Sequence, residues 1–597
     1  MTLTATDILI IGAYFVITIL IGLYFTKMAS RNIDSYFLGG KRMPWYILSV
    51  SNASGMFDVS GTMWLVSILF VYGLKGIWFP WLWPFFNQIF MMIFLSVWLR
   101  RSNVITGAEW ISTRFGNTTG ARLSHLIVVV FALVSVLGFL GYAFVGIGKF
   151  AQIFLPWDIS ANNYALILMI FTGLYVVSGG FISVVATDVI QYILMTIASI
   201  AIGIIAIQAV SPEMISAVTP EGWDSAFFGS KLDLNWTGIL DSAQDRINQD
   251  GYTLFGAFVM MMLFKGFFIS AAGPIPSHDM QRILSNKTPK NAALMSGLNS
   301  VVVLIPRFMM VAGLVVLALV FFSDELSARG DQVDFELILP YALANFIPPG
   351  LKGLVIAGLF AAFMSTISSF INVAPAYLIN DIYKKYINPN ASDKKYVRLS
   401  YLASVLVLSM GIGLGYIIET VDSITQWIVT ALWAGYSAPN MLKWYWWRFN
   451  GYGFFWGMLA GLLTALIIPF ILPGMVPIYH FPFIFIASLL ASVIASLVSK
   501  PEDDHVLMKF YKQVRPWGFW NPVYEKVKAG DAGFIKNTHF KRDMFNVAVG
   551  IIWQLFLIAL PVYLVIQDYF SLPVIIGVII LCSVILKKNW YDKLEEN

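Results

Sequence analysis

The chain has 597 residues, of which 58% are hydrophobic and only 12% are charged, and its mean hydropathy is +0.75. Soluble domains carry about 25% charged residues, so this composition excludes a soluble protein and predicts one embedded in a membrane. The net charge of +5 says little by itself, and the single cysteine, Cys582, excludes a disulfide framework or a cysteine-based metal cluster. We therefore expect no redox chemistry and no nucleic-acid partner.

Apolar segments recur from one end of the chain to the other, and strand-like alternation is absent. Segments of this length can cross about 30 Å of hydrocarbon as α-helices. The first has neither the basic start nor the cleavage site of a signal peptide, so we expect it to be retained. The sequence predicts an all-α polytopic membrane protein of fifteen helices, near residues 6–26, 44–71, 77–99, 121–153, 162–179, 181–210, 252–283, 291–323, 351–383, 396–418, 424–446, 452–473, 481–499, 543–566 and 569–587.

The loops between these segments divide by charge. Basic residues such as Arg100 and Arg101 collect on one side, and acidic residues collect on the other, above all in the loop 211–251. Cytoplasmic loops are enriched in Lys and Arg, so we predict an external N-terminus and a cytoplasmic C-terminus in a multi-pass protein of the cell inner membrane. The longest cytoplasmic loop, 501–542, has the composition of a linker and is too short for a catalytic domain, so we do not expect an enzyme.

Two long apolar segments are interrupted by small and polar residues, at 49–55 and at 270–276, and the second interruption contains Pro274 and Pro276. Proline and glycine free backbone carbonyls, which at membrane depth must be satisfied by protein or by a bound ion. A pair of broken helices at matching places in two halves is typical of a transporter's binding site. The alternative for each segment is a kinked helix that only packs.

Hydroxyl groups are concentrated on a third segment, and an acid lies within another. Na⁺ is a hard cation that prefers oxygen ligands, and a carboxylate within an apolar helix by default marks an ion path. The alternatives are that the hydroxyl residues only allow close helix packing and that the acid faces water at the membrane boundary. The residues are Ser365, Thr366, Ser368 and Ser369 on the third segment and Asp188 on the other.

Three further charges, Asp58, Lys265 and Arg307, fall inside predicted membrane helices. They either contact a substrate or pair with each other and lock helices together, and the sequence leaves both options open.

Several of these motifs, in their order and spacing, closely resemble the sodium:solute symporter family, whose members include bacterial sodium/galactose, sodium/proline and sialic acid transporters. The resemblance covers roughly residues 6–500. The motifs are Ser51-Asn52-Ala53-Ser54-Gly55, Thr106 with Glu109 and Arg114-Phe115-Gly116, Thr187-Asp188 with Gln191, Gln281-Arg282, and Ala361-Ala362 followed by Ser365-Thr366.

The resemblance implies a LeuT-like core of two inverted five-helix repeats that works by alternating access. The first repeat is expected at 44–210 and the second at 252–447, separated by an external loop at 211–251. A leading helix and loop occupy 1–43, peripheral helices 448–500, the linker 501–542, and two additional helices with the tail 543–597.

The resemblance also implies sodium as the coupling ion, with two ions in each cycle. The first site is expected from the carbonyls of Val50, Ala53 and Ala362 and the hydroxyls of Ser365 and Thr366. The second is expected from Asp188, Ser365, Ser368 and Ser369.

The solute is less well defined by the resemblance, because the galactose-site pattern is not kept: Pro80, Trp83 and Val302 stand at its positions. Aromatic rings with amides suit a sugar, and Lys265 suits a carboxylate, so we predict a sugar or sugar acid. The candidate solute residues are Asn52, Met56, Phe57, Asp58, Trp83, Asn87, Gln88, Lys265, Phe268, Asn299 and Gln426.

Other functions stay open at this point. An amino acid or another carboxylate could be the solute, and protons could replace Na⁺ if Asp188 or Asp58 titrates. A channel would require a continuous polar stripe, and a transporter-like sensor would require a signalling domain, and neither is seen in the sequence. The oligomeric state is not determined by the sequence.

Overall fold

The computed structural model describes residues 3–29, 32–82, 87–329, 333–418 and 432–595. Within these ranges the chain is helical, and the only β-type pairing is an isolated bridge between Trp446 and Phe519. The prediction of an all-α protein is therefore confirmed for the described residues. Trp83 and Gln426, both predicted to contact the solute, lie outside them.

The helices up to the second break follow in order. They are α1 (Ala5–Ala29), α2 (Ile33–Leu38), α3 (Trp45–Met56), α4 (Val59–Tyr72), α5 (Asn87–Phe90), α6 (Ser96–Arg101), α7 (Gly107–Phe115), α8 (Thr119–Phe154), α9 (Ala161–Ala209), α10 (Pro212–Val218), α11 (Asp241–Asp250) and α12 (Phe255–Ala271). A π-helix at Met91–Leu95 joins α5 to α6.

The remaining helices are α13 (His278–Ser285), α14 (Pro289–Arg329), α15 (Ile338–Phe346), α16 (Leu351–Ala376), α17 (Asp393–Gly415), α18 (Trp433–Tyr445), α19 (Gly451–Ile471), α20 (Phe481–Val498), α21 (Asp504–Val514), α22 (Asn521–Gly530), α23 (Phe540–Val565) and α24 (Leu572–Asn589). Helix α16 continues as a π-helix at Tyr377–Ile387.

Eleven helical segments of the described chain are long and apolar enough to cross a membrane, and the bent pair α11 and α12 would make a twelfth. These eleven match eleven of the fifteen predicted helices. The other four predictions fall on the segments 77–99, 162–179, 252–283 and 424–446, where the helices are short, broken, or partly outside the described residues. The chain is thus a multi-pass membrane protein, and the count of fifteen stays a prediction.

Both predicted breaks are present. Helix α3 ends at Met56 and α4 begins at Val59, and the Asp58 side chain caps α4 by accepting a hydrogen bond from the backbone N–H of Gly61 at 2.8 Å. The second break separates α12 from α13 at residues 272–277. The first break falls just after the predicted segment 49–55, because the helix continues through these small residues to Met56.

Helix α9 also contains an interruption. Gly180 has φ 56° and ψ −158°, a conformation that is essentially restricted to glycine. The change of direction separates the predicted helices 162–179 and 181–210, and it begins the second half of α9 eight residues before Asp188.

We expect Gly180→Ala to lower the free energy of unfolding by about 1–3 kcal/mol, because a Cβ is strained at this φ and ψ. Thermal unfolding of the purified protein measures the effect. The control is Gly413→Ala on α17, where an added Cβ meets no atom within 4 Å and helix propensity favours alanine. Equal melting temperatures for the two variants would contradict the assigned backbone strain.

Helix α16 is the centre of the bundle. From Val355 to Ala376 its side chains are buried, and it packs against α1, α3, α8, α9 and α17. The last two helices pack on the outside of this core: α23 contacts α14 and α24. The segment predicted as a linker, 501–542, instead forms α21 and α22, and its Trp520 donates a hydrogen bond to the carbonyl of Trp444 at 2.8 Å.

Candidate functional site

The first break lies against the hydroxyl-rich part of α16. The Thr366 hydroxyl is 3.2 Å from the carbonyl oxygen of Gly55, at the end of α3, and 3.0 Å from that of Ala362 in its own helix. Ala53 and Ala362 are fully buried, and Val50 is half-buried one turn earlier on α3. The structure thus brings the two helices of the first predicted sodium site together around Thr366.

A buried ion pair lies beside this contact. The Asp188 carboxylate accepts hydrogen bonds from Ser51 at 2.5 Å, Ser365 at 2.7 Å and the guanidinium of Arg282 at 2.8 Å. Asp188, Ser365 and Arg282 have no solvent exposure. Burying two charges is costly unless they are paired and hydrogen-bonded, and this pair meets both conditions.

The guanidinium of Arg282 also donates to Ser51 at 2.9 Å and to Ser369 at 2.8 Å. It therefore lies among Asp188, Ser365 and Ser369, three of the four residues predicted to form the second sodium site. The fourth, Ser368, donates instead to the carbonyl of Ser365 in its own helix at 2.9 Å. In this structure the guanidinium of Arg282 therefore contacts two of the four predicted ligands, Asp188 and Ser369.

Helix α13, the shorter part of the second broken helix, is anchored through this cluster. Besides Arg282, its Gln281 amide donates to Asn372 of α16 and to the carbonyl of Phe37, both at 2.8 Å. A change in the charge balance around Asp188 would therefore act directly on the position of α13.

A cavity of about 150 Å³ opens next to the two breaks. Met56, Asp58, Asn87 and Gln88, four of the predicted solute residues, line it. The rest of its wall comes from Gly55, Gly61, Trp64, Leu65, Pro80, Phe139, Tyr142, Ile275, Ser277, His278, Asp279, Arg307, Thr366, Phe370 and Trp433. Thr366 therefore belongs both to this wall and to the first predicted sodium site.

Asp58 and Arg307 form an ion pair in the cavity wall, with 3.0 Å between the guanidinium and the carboxylate. Tyr142 donates to the same carboxylate at 3.0 Å, and Arg307 donates to the freed carbonyl of Met56 at 3.0 Å. The pair therefore joins α4, α8 and α14 at the break, while both of its members remain in the cavity wall.

Amide side chains converge on the sulfur of Met56. The amide nitrogen of Asn299 lies 3.2 Å from it, and those of Asn52 and Gln88 lie 3.9 Å from it. The amide oxygens of Asn52, Asn87 and Asn299 are buried and accept no hydrogen bond from any residue that the structure describes. Buried acceptors of this kind are suited to hydroxyl donors of a ligand.

Comparison with known proteins identifies the family to which this chain belongs. The profile of the sodium:solute symporter family matches residues 36–461. The chain belongs to this family. It is 26% identical to the sodium/mannose cotransporter of Bos taurus over 77% of this chain and 78% of that one, and 24% identical to the sodium/glucose cotransporter of Vibrio parahaemolyticus over 68% and 74%.

The fold agrees with this membership. A Na⁺-coupled sialic acid symporter, solved in a substrate-bound outward-open state, superposes with a TM-score of 0.64 at 18% identity, covering 84% of this chain and 99% of that one. The family and these relatives are transporters, and sodium is their coupling ion. Helices α20 to α24 lie beyond the part that the family profile matches.

Five predicted solute residues of the described chain do not line the cavity: Asn52, Phe57, Lys265, Phe268 and Asn299. Asn52 and Asn299 contact the sulfur of Met56, which does line it. Phe57 is buried beneath the guanidinium of Arg307, at 5.9 Å, and Lys265 is buried on α12. The ring of Phe268 packs 4.8 Å from Phe264 and 4.7 Å from Phe485 of α20. It belongs to the contact between α12 and a peripheral helix.

From the sequence, Tyr142 had no assigned role, and Ser51 and Arg282 belonged only to family motifs. A charged residue directly after a broken membrane helix was the available signal for Arg282. No comparable signal existed for Tyr142, whose hydroxyl meets Asp58 across 84 positions of the chain.

The second break differs from the first in how its carbonyls are satisfied. Trp444, Tyr445 and Tyr436 of α18 donate to the carbonyls of Ala272, Ala271 and Pro274 at 2.9–3.0 Å. Lys443 and Trp444, at the end of α18, are accordingly buried inside the protein. At this break aromatic side chains donate hydrogen bonds to these three carbonyls.

Proposed function

We propose that this symporter couples the inward movement of Na⁺ to the uptake of a small sugar-type solute across the inner membrane. The observation that carries the proposal is the contact of the first broken helix with Thr366 of α16 in the wall of a cavity that also presents buried amides. A Na⁺ ion bound at this contact would lie next to the solute cavity, because Thr366 belongs to both sites. Coupling requires adjacent ion and solute sites of this kind.

The first sodium ion is proposed to bind between α3 and α16, on the carbonyls of Val50, Ala53 and Ala362 and the hydroxyls of Ser365 and Thr366. The position of Thr366, between the carbonyls of Gly55 and Ala362, supports this site. Bound Na⁺ would hold α3 against α16 and so fix the first break, where Met56 and Asp58 meet the cavity.

The second ion is proposed to bind Asp188 with Ser365, Ser368 and Ser369, in exchange for the guanidinium of Arg282. The carboxylate accepts three hydrogen bonds already, so Na⁺ and Arg282 compete for the same oxygens. Entry of the ion would release Arg282 and with it one anchor of α13. Each Na⁺ that moves inward gains roughly 2.3 kcal/mol per 100 mV of membrane potential, so a second ion would raise the attainable accumulation.

The solute is proposed to be a monosaccharide, a related polyol or a sugar acid. Relatives at 24–26% identity are named for mannose, glucose and myo-inositol, and the unpartnered amide oxygen of Asn87 in the cavity wall suits their hydroxyl groups. The guanidinium of Arg307 faces the same cavity and would suit a carboxylate, although Asp58 already balances its charge. A neutral sugar or polyol therefore fits this ion pair better than a sugar acid or another small anion.

The test uses purified protein in liposomes with an inward Na⁺ gradient and labelled mannose, glucose, myo-inositol, sialic acid and proline. We expect accumulation of at least one sugar or polyol that stops when choline replaces Na⁺ at constant pH. Accumulation of proline alone would show that the solute is an amino acid and not a sugar, a polyol or a sugar acid. Uptake that follows a proton gradient and ignores Na⁺ would refute sodium coupling.

Asn87→Leu is expected to raise the KM for the accepted sugar about 10-fold, because it removes a hydrogen-bond partner of the solute from the cavity wall. The dependence of the uptake rate on Na⁺ at saturating sugar should change little. The control is Asn546→Leu, a buried asparagine on α23 that lies outside the cavity. A KM that is unchanged in Asn87→Leu, or raised equally in both variants, would remove Asn87 from the solute site.

A further inference from the structure

A second cavity, of about 210 Å³, lies away from the solute path. Its walls come from the end of α6, from the segment that joins α20 to α23, and from the turn after α24. Most of this wall is outside residues 36–461, the part that the family profile matches. The site is therefore a feature of the additional C-terminal region.

Basic residues dominate the cavity wall, and its two acids are already engaged. Asp543 is 3.2 Å from Arg542 and accepts a hydrogen bond from the Trp517 indole at 3.0 Å. Glu595 is 3.4 Å from Arg101. Both acidic charges on the wall are thus balanced within the protein.

Three basic residues of the wall remain without an acidic partner within 4 Å among the described residues: Arg515, Lys536 and Lys593. The guanidinium of Arg515 lies 5.4 Å from the ring of Phe534, and Lys536 donates to Asn521 at 2.5 Å. These contacts leave the positive charges uncompensated. Arg515 and Lys536 come from the segment that joins α20 to α23 and Lys593 from the turn after α24, so the cavity concentrates positive charge that a bound anion would balance.

Part of the cavity wall is apolar. Ile93, Phe94 and Trp98 contribute to it, together with Ile535. The membrane-spanning helix α23 begins at Phe540 and α24 ends at Asn589, so both ends meet here, on the side that we predict to be cytoplasmic. A ligand at this level can place a charged group among the basic residues and carbon atoms against the apolar wall.

We propose that this cavity binds a phosphate-bearing anion, either the headgroup of an anionic phospholipid or a soluble phosphate ester. A phosphate offers charge and acceptor oxygens to several basic groups at once, and arginine matches its geometry. The bound anion joins α6 of the transporter core to the joining segment and to the C-terminal turn. It therefore stabilises the docking of α23 and α24 on the core.

The experiment uses the full-length protein in detergent and measures retention of phosphatidylglycerol against phosphatidylcholine by native mass spectrometry. Thermal unfolding titrated with glycerol 3-phosphate and with inorganic phosphate tests the soluble source. The test variant is Arg515→Gln/Lys593→Gln. The control, Lys509→Gln/Lys528→Gln, loses the same charge from exposed residues of α21 and α22 that do not line the cavity.

We expect the parent and the control to bind one of these anions and the test variant to bind it about 30-fold more weakly. Binding of phosphatidylglycerol alone assigns a lipid headgroup, and binding of glycerol 3-phosphate assigns a soluble ester. Equal binding by all three proteins, or no binding to the parent, overturns the proposal. If the double variant fails to fold, Lys593→Gln alone, in the exposed final turn, should weaken binding about 5-fold.

Discussion

Asp188→Asn is expected to abolish Na⁺-driven uptake and to lower the free energy of unfolding by about 3–5 kcal/mol. The substitution leaves the guanidinium of Arg282 buried without a counter-charge, which is among the most costly changes a protein interior can undergo. It also removes the charged ligand that we propose for the second ion. Uptake into liposomes and thermal unfolding in detergent measure the two effects separately.

The double variant Asp188→Asn/Arg282→Gln separates stability from coupling. It removes both charges and keeps polar side chains of similar size, so most of the lost stability should return while uptake stays absent. A double variant as unstable as the sum of its two single variants would show that the pair does not act as a unit. Full Na⁺-driven uptake in Asp188→Asn would exclude this carboxylate from coupling.

Thr366→Val is expected to raise the Na⁺ concentration for half-maximal uptake at least about 10-fold, with little loss of stability. The side chain keeps its shape and loses the hydroxyl that lies between the carbonyls of Gly55 and Ala362. Initial uptake rates measured against Na⁺ concentration, at constant ionic strength with choline, give the value.

The matched control is Thr172→Val on α9. Its hydroxyl is also buried and bonds the carbonyl of Leu168 in its own helix at 2.8 Å, but it has no contact with either break. We expect its Na⁺ dependence to equal that of the parent. If Thr366→Val also behaves like the parent, the first sodium site does not include this hydroxyl.

Much of the fold could be predicted from the sequence, because hydropathy and helix breakers act locally. Each correctly located feature depends on the residue types in one short stretch of the chain. These features are eleven predicted helices, the break after Met56, the break after Ala271 and the turn at Gly180. The segments that were misjudged were short or polar. The stretch 501–542 looked like a linker, because the apolar residues of its two short helices are spread thinly along the chain.

The candidate site was predicted only in part. Hydroxyl groups on α16 and an acid on α9 were visible because polar residues within apolar helices stand out. The position of Phe268, packed on Phe485 rather than in the cavity wall, could not be predicted, because an aromatic residue on a membrane helix can face a ligand, a neighbouring helix or lipid equally well.

The sequence by itself determined that the chain is a helical membrane protein with two broken helices and hydroxyl and carboxylate groups at membrane depth. Only the tertiary structure decided which of these groups meet. The guanidinium of Arg282 reaches Asp188 across 94 positions, and that of Arg307 reaches Asp58 across 249. Such partners depend on how whole helices pack, and hydropathy and local spacing contain no information about that packing.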